Sequence, residues 1–151
     1  MLKKILAGAL AVVLAVIALP IEAFADTGDV GRYGDFACIE LSDGTLSILG
    51  YWGEGGEVVI PPEINGKTVT QIGSYAFALC ETITSVEIPF GVTLIDCEAF
   101  SGSSLVSVDI PDSVVSIGDA AFQHCTHLIS VDIPKSVAVI GENAFGGVCK
   151  S

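Results

Sequence analysis

The chain has 151 residues, enough for one domain, and carries 18 acidic against 6 basic side chains for a net charge of −12. That balance excludes nucleic acid and anionic membrane surfaces as partners, since both need basic protein surface. It leaves room for cationic partners.

Residues 1–25 have the three-part pattern of a secretory signal peptide. Lys3 and Lys4 give a basic start, Ile5 to Leu19 is an unbroken run of Ile, Leu, Ala, Val and Gly, and Ala23-Phe24-Ala25 supplies small residues before Asp26. The rival, an uncleaved anchor, is disfavoured because the apolar run is shorter than the about 20 residues of a membrane span. Cleavage after Ala25 leaves Arg32, Lys67, Lys135 and Lys150 as the basic residues against 17 acidic ones, a formal charge of −13. This predicts a secreted or extracellular protein.

Residues 26–35, rich in Gly and Asp, read as a flexible lead. Residues 36–71 read as an N-terminal hairpin and an opening coil. Phe36–Leu41 and Thr45–Leu49 flank Ser42-Asp43-Gly44, a hairpin signal. Glu57-Val-Val-Ile60-Pro61 follows, then the turn signal Asn65-Gly66. Tyr51 and Trp52, before the glycine-rich segment 53–56, form a candidate aromatic contact, with packing of the opening coil as the competing role.

Residues 72–151 repeat with a period of 22 to 23. The first copy runs from Ile72-Gly73 through Ala76-Phe77 and Cys80 to Val86-Glu87-Ile88-Pro89. The second runs from Ile95 through Ala99-Phe100 to Val108-Asp109-Ile110-Pro111, the third from Ile117-Gly118 through Ala121-Phe122 and Cys125 to Val131-Asp132-Ile133-Pro134. A truncated fourth holds Ile140-Gly141 and Ala144-Phe145. Within each copy L/I-x-x-V-x-I-P alternates apolar and polar residues, the mark of a short strand with one buried face, which Pro ends. The A-F-x-x-C segment suits a short helical or 3₁₀ turn. Stacked copies place Phe on Phe and Ile on Ile, so the expected fold is a repeat solenoid of short parallel strands. The fourth copy lacks its strand, so an open C-terminal end is expected, able to dock on another chain or a second copy.

The pattern resembles the BspA-like leucine-rich repeat family, secreted and surface proteins common in bacteria and found in some parasitic protists. Ile117-Gly118, Ala121-Phe122, Cys125, Leu128, Val131, Ile133-Pro134 and Val137 match its unit position by position, and the likeness spans about residues 36–149. Ser103 departs from it, standing where the unit has Cys. The resemblance implies protein–protein binding, often adhesion to host or neighbouring cells, and no catalytic residues.

The candidate binding positions are Glu87, Asp109 and Asp132, the outward acidic residue of each strand. Stacking would bring these like charges side by side, a mild cost. A cationic ligand, Ca²⁺ or a basic partner patch, would offset it; solubility of an exposed sheet is the alternative reason. Cys80 and Cys125 are expected to face the core, about two strand spacings apart and so beyond disulfide reach. Cys97 lies off that column and Cys38 lies in the N-terminal hairpin; both are candidates for exposure and pairing with another chain, and the odd count of five, Cys149 included, leaves at least one thiol free or paired between chains. In His124-Cys125-Thr126-His127 the cysteine is expected inside and the histidines outside, so no metal site is expected. Nor is a cofactor, and no catalytic motif is present. The reading is a non-catalytic module for a protein or glycan partner at a cell surface, with an assembly module closed by its C-terminal end as the alternative.

Overall fold

The computed structural model describes residues 30–148. The expected signal segment, the first residues of the lead and Cys149 lie outside the described residues. Eleven strands run in chain order: β1 (Val30–Tyr33), β2 (Phe36–Glu40), β3 (Leu46–Tyr51), β4 (Gly56–Val59), β5 (Glu63–Ile64), β6 (Lys67–Ile72), β7 (Ile83–Glu87), β8 (Leu94–Ile95), β9 (Ser107–Asp109), β10 (Ser116–Ile117) and β11 (Val139–Ile140). They form two ladders. One orders β1-β2-β3-β6-β8-β10-β11 with β5 beside β6, and the other orders β4-β7-β9. The pairings within the repeats are parallel, as expected for stacked coils.

The hairpins follow their turn chemistry. Gly44 takes φ 82° between β2 and β3, and the Asp43 carboxylate accepts the Thr45 N–H at 3.0 Å, which fixes the Ser-Asp-Gly turn. Asn65 and Gly66, at φ 51° and 75°, join β5 to β6 in the left-handed conformation that Asn-Gly favours. One expectation is corrected here. Val30–Tyr33, inside the expected flexible lead, is a strand antiparallel to β2, with Tyr33 opposite Phe36 across a tight turn at Gly34.

From β6 onward each coil crosses the core twice. Ile72, Ile95 and Ile117 are fully buried on one ladder, Val86 and Val108 line the inside of the other, and Phe77, Phe100 and Phe122 fill the space between them. Tyr51, Phe77, Phe100, Phe122 and Phe145 make one aromatic column with successive ring centroids 5.5, 5.0, 5.1 and 5.2 Å apart. The V-x-x-I segments, legible in sequence only as the chain turning back, are the rungs of the β6-β8-β10-β11 ladder: Ile72 pairs with Ile95, Ile95 with Ile117, Ile117 with Ile140.

The A-F-x-x-C segments are turns, not the short helices expected. Alternate N–H groups do different things. Those of Ala76, Ala78 and Cys80 donate three residues back, to Gly73, Tyr75 and Phe77. Those of Tyr75, Phe77 and Leu79 donate forward to Cys97, Ala99 and Ser101 of the next coil, at 2.7–3.2 Å. Tyr75 and Leu79 sit at φ 62° and 55°, in the left-handed region, which breaks any helical run. Glu98 and Gly102, Ala120 and His124, and Asn143 and Gly147 repeat that pair of positions in the later coils.

A second correction concerns the third copy. Residues 128–133 form no strand. Ile129 N donates to Val106 O at 3.3 Å, but the ladder does not continue. Leu128 is still fully buried, but Ile133 is 42% exposed where its counterpart Ile110 is 5%, and in β11 Ile140 is 48% exposed where Ile117 is 0%.

Candidate interaction surface

The outer face of β4-β7-β9 carries the acidic positions singled out in the sequence. Along β7 Ile83 and Val86 are buried while Thr84 and Glu87 are exposed, and Ile88 just beyond the strand is buried. Parallel register then stacks like on like. Val59 opposes Glu87 and Glu87 opposes Asp109, while Glu57, Ser85 and Ser107 make a neighbouring column of one carboxylate and two hydroxyls. Asp132 is exposed one repeat further along. Glu87 and Asp109 therefore lie about 4.8 Å apart across the ladder, a like-charge contact that costs a few tenths of a kcal/mol or more. No ion pair relieves it among the described residues: Lys67 is paired with Glu40, the Arg32 guanidinium lies 5.8 Å over the Trp52 ring, and Lys135, exposed after Pro134, makes no salt bridge. An open cleft of about 340 Å³ lies at the C-terminal end of the face, lined by Asp109, Ile110, Pro111, Asp112, Asp132, Ile133 and Pro134.

Sequence reasoning missed a second column. Val106 N donates to Thr84 O at 2.8 Å and Ile129 N to Val106 O, so Thr84, Val106 and Ile129 line up beside the acids. Val106 is 41% and Ile129 64% exposed. These are x positions of the L/I-x-x-V-x-I pattern, read as facing solvent; the signal was the β-branched residue found there in all three copies, Thr84, Val106 and Ile129.

The aromatic candidates have other surroundings. Tyr51 is half-buried, stacked on Phe77 and 5.5 Å from Phe36, and its hydroxyl accepts the Gly55 N–H at 3.3 Å, so it heads the core column. Trp52 is half-buried under Arg32. Cys125 is fully buried, while His124 and His127 are exposed and point away from it. Among the described residues no three His, Cys, Asp or Glu side chains converge as metal ligands.

The cysteines require one correction. Cys38, a candidate for exposure, is only 1% exposed and belongs to the core, because β2 turns it inward between the flanking strands. Burial pushes its thiol from 9.0 up to about 12, and that of Cys80 up to about 11. Cys125 is also raised by burial, partly countered by its hydrogen bond with Ser103 at 3.4 Å. Ser103 thus fills the cysteine place of its own copy and meets the sulfur of the next. Cys97 is half-buried.

A raised thiol stays protonated in the folded chain while the unfolded chain ionises. Folding stability is therefore unaffected by these groups below pH 9 and falls as pH rises from 9 towards 12. Urea titrations at a series of alkaline pH values check this. A midpoint that holds constant from pH 8 to pH 11 would contradict the burial of these thiols.

The comparisons agree with this geometry. A family model described as a BspA type leucine rich repeat region, in 6 copies, matches residues 59–151. No curated protein shows a significant match. Among solved structures, the T. pallidum leucine rich repeat protein is 30% identical with a TM-score of 0.74, over 78% of this chain and 57% of that one. A leucine-rich repeat protein from Bacteroides capillosus is 26% identical with a TM-score of 0.71, over 81% of this chain and 96% of that one. A third, from Bacteroides ovatus, is 31% identical with a TM-score of 0.70, over 78% of this chain and 33% of that one. The chain thus spans little more than half of the T. pallidum protein and a third of the B. ovatus one. With a matched segment longer than half its length and coils that stack in the same way, the chain belongs to the BspA-type leucine-rich repeat family.

Proposed function

We propose that this chain is a non-catalytic module that works outside the cell, at a cell surface, and binds a protein partner through the outer face of β4-β7-β9. The observation that carries the reading is the in-register stacking of Glu87 on Asp109, exposed and unneutralised, beside exposed Val106 and Ile129. A stacked array offers such a face as a run of repeated weak contacts. The export pattern of residues 1–25 and the family's surface members support the location. Adhesion to a host or neighbouring cell is the role this fits.

The test is capture. The purified chain and its Glu87→Lys/Asp109→Lys/Asp132→Lys variant, immobilised side by side, are offered extracellular matrix and cell-surface fractions. The wild type is expected to retain a protein that the folded variant loses. Equal retention by both would overturn the face, and loss of the ligand after deglycosylation would make the partner a glycan.

A second reading is favoured by the uncovered last coil, where Ile129, Val139 and Ile140 are 64%, 57% and 48% exposed. A second copy, or another chain, docks there and continues the stack. Sedimentation velocity over a wide concentration range tests self-docking: an invariant monomer contradicts it, and a dimer abolished by Ile140→Lys supports it.

A further inference from the structure

We infer that the partner segment this face takes is a basic amphipathic helix lying across the coils, with its basic row on the acidic column and its apolar row on Val106 and Ile129. The inference rests on the binding face proposed above and specifies what binds there.

Geometry selects the helix. The two columns run along the stacking axis, at right angles to the strands. Their members are three residues apart in the chain, for example Val106, just before β9, and Asp109 at its end, a span of about 10 Å. Successive rungs are about 4.8 Å apart. A partner that contacts whole columns must itself run across the strands. An extended chain returns to the same side every two residues, about 6.7 Å, and falls out of step by about 2 Å at each rung. A helix returns every turn, about 5.4 Å, and slips only about 2 Å over the three steps from Val59 to Asp132. Its width with side chains, about 10 Å, also matches the separation of the columns.

Chemistry sets the two rows. No cation is paired with Glu87 or Asp109 among the described residues: Lys67 and Arg32 are engaged with Glu40 and Trp52, and Lys135, beyond Asp132 at the far end of the column, makes no salt bridge. A Lys or Arg row would remove the stacked repulsion of Glu87 and Asp109, and a long basic side chain reaches into the cleft between Asp109, Asp112 and Asp132. Val106 and Ile129 gain from an apolar row, which pure charge attraction would leave in water. The net charge of −12 draws such a segment in from a distance.

A fluorescent peptide of about 18 residues with a Lys row and an adjacent Leu row provides the probe. Its binding to the full chain is followed by anisotropy, and its helix content by circular dichroism. The patterned peptide is expected to gain helix and bind at least about tenfold more tightly than a scrambled peptide of the same composition. Val106→Ser/Ile129→Ser and Asp109→Asn/Asp132→Asn are each expected to weaken it about fivefold or more. Equal binding of the scrambled peptide, or indifference to either double substitution, overturns the inference. If the peptide fails while the charge-reversed variant still loses its captured protein, the helix is wrong and the face stands. If that variant captures as well as the wild type, both fall.

Discussion

Replacing Phe100 with alanine is expected to remove about 3–5 kcal/mol of folding stability, a large part of what a domain of this size has. Phe100 is fully buried, with Phe77 and Phe122 stacked on its two faces at 5.0 and 5.1 Å. Each neighbouring ring belongs to a different coil, so the cavity left by alanine opens at two coil–coil contacts at once, and rigid backbone ladders on both sides of the core prevent its collapse. Phe145 is the internal comparison. It is half-buried and contacts one ring of the column, Phe122 at 5.2 Å. Phe145→Ala is expected to cost less than half as much. Urea unfolding of the two variants and the wild type checks this. Equal losses would mean that the aromatic column does not hold the coils together.

Gly118→Val is expected to cost about 3 kcal/mol for a different reason. A Cβ on Gly118 would stand 2.6 Å from the Cys97 nitrogen and 2.7 Å from the Asp96 carbonyl carbon, backbone atoms of the preceding coil that cannot swing away. The coil cannot lift off to make room, because Gly118 N is bonded to Ile95 O at 2.7 Å and Glu98 N to Asp119 O at 2.9 Å. Asp96 fills the corresponding place one copy earlier, so the fold does not forbid a side chain at this position in every coil. At Gly118 it is the Asp96–Cys97 peptide that leaves no space. Val115→Ala, three residues away at an exposed position, is expected to change stability by no more than about 0.5 kcal/mol. A Gly118→Val variant that melts with the wild type would show that the coil spacing is looser than these contacts imply.

The repeat made much of this fold legible before any coordinates. Phe77, Phe100, Phe122 and Phe145 are spaced by the period, and a buried side chain repeated at one period has to stack on itself. The same logic gave the Ile ladder, the parallel pairing and the Asp43-Gly44 turn. The turns were harder to read. Gly102, Asn143 and Gly147 suit their left-handed positions, but Tyr75, Leu79, Glu98 and Ala120, which hold the equivalent ones, have no preference for that conformation. At those four the coil-to-coil hydrogen bonds impose it, and their own residue types give no signal. The strand expected at 128–133 failed because a pattern records which face is buried, whereas a strand also needs a partner on its edges. On the candidate face, the acidic column was visible because charge at an outward position stands out. The apolar column escaped because Val106 and Ile129 stand at x positions of the L/I-x-x-V-x-I pattern, which by themselves carry no sign of burial.

The central claim, that partners dock on the outer face of β4-β7-β9, is tested most directly by carboxylate footprinting. Carbodiimide labelling of the chain, free and in its captured complex, is read by mass spectrometry. Asp119 and Glu142 on the turn side are exposed carboxylates of the same chemistry and serve as internal standards. The account predicts that labelling of Glu87, Asp109 and Asp132 falls in the complex while that of Asp119 and Glu142 is unchanged. Protection of Asp119 and Glu142 with Glu87, Asp109 and Asp132 left reactive would contradict it.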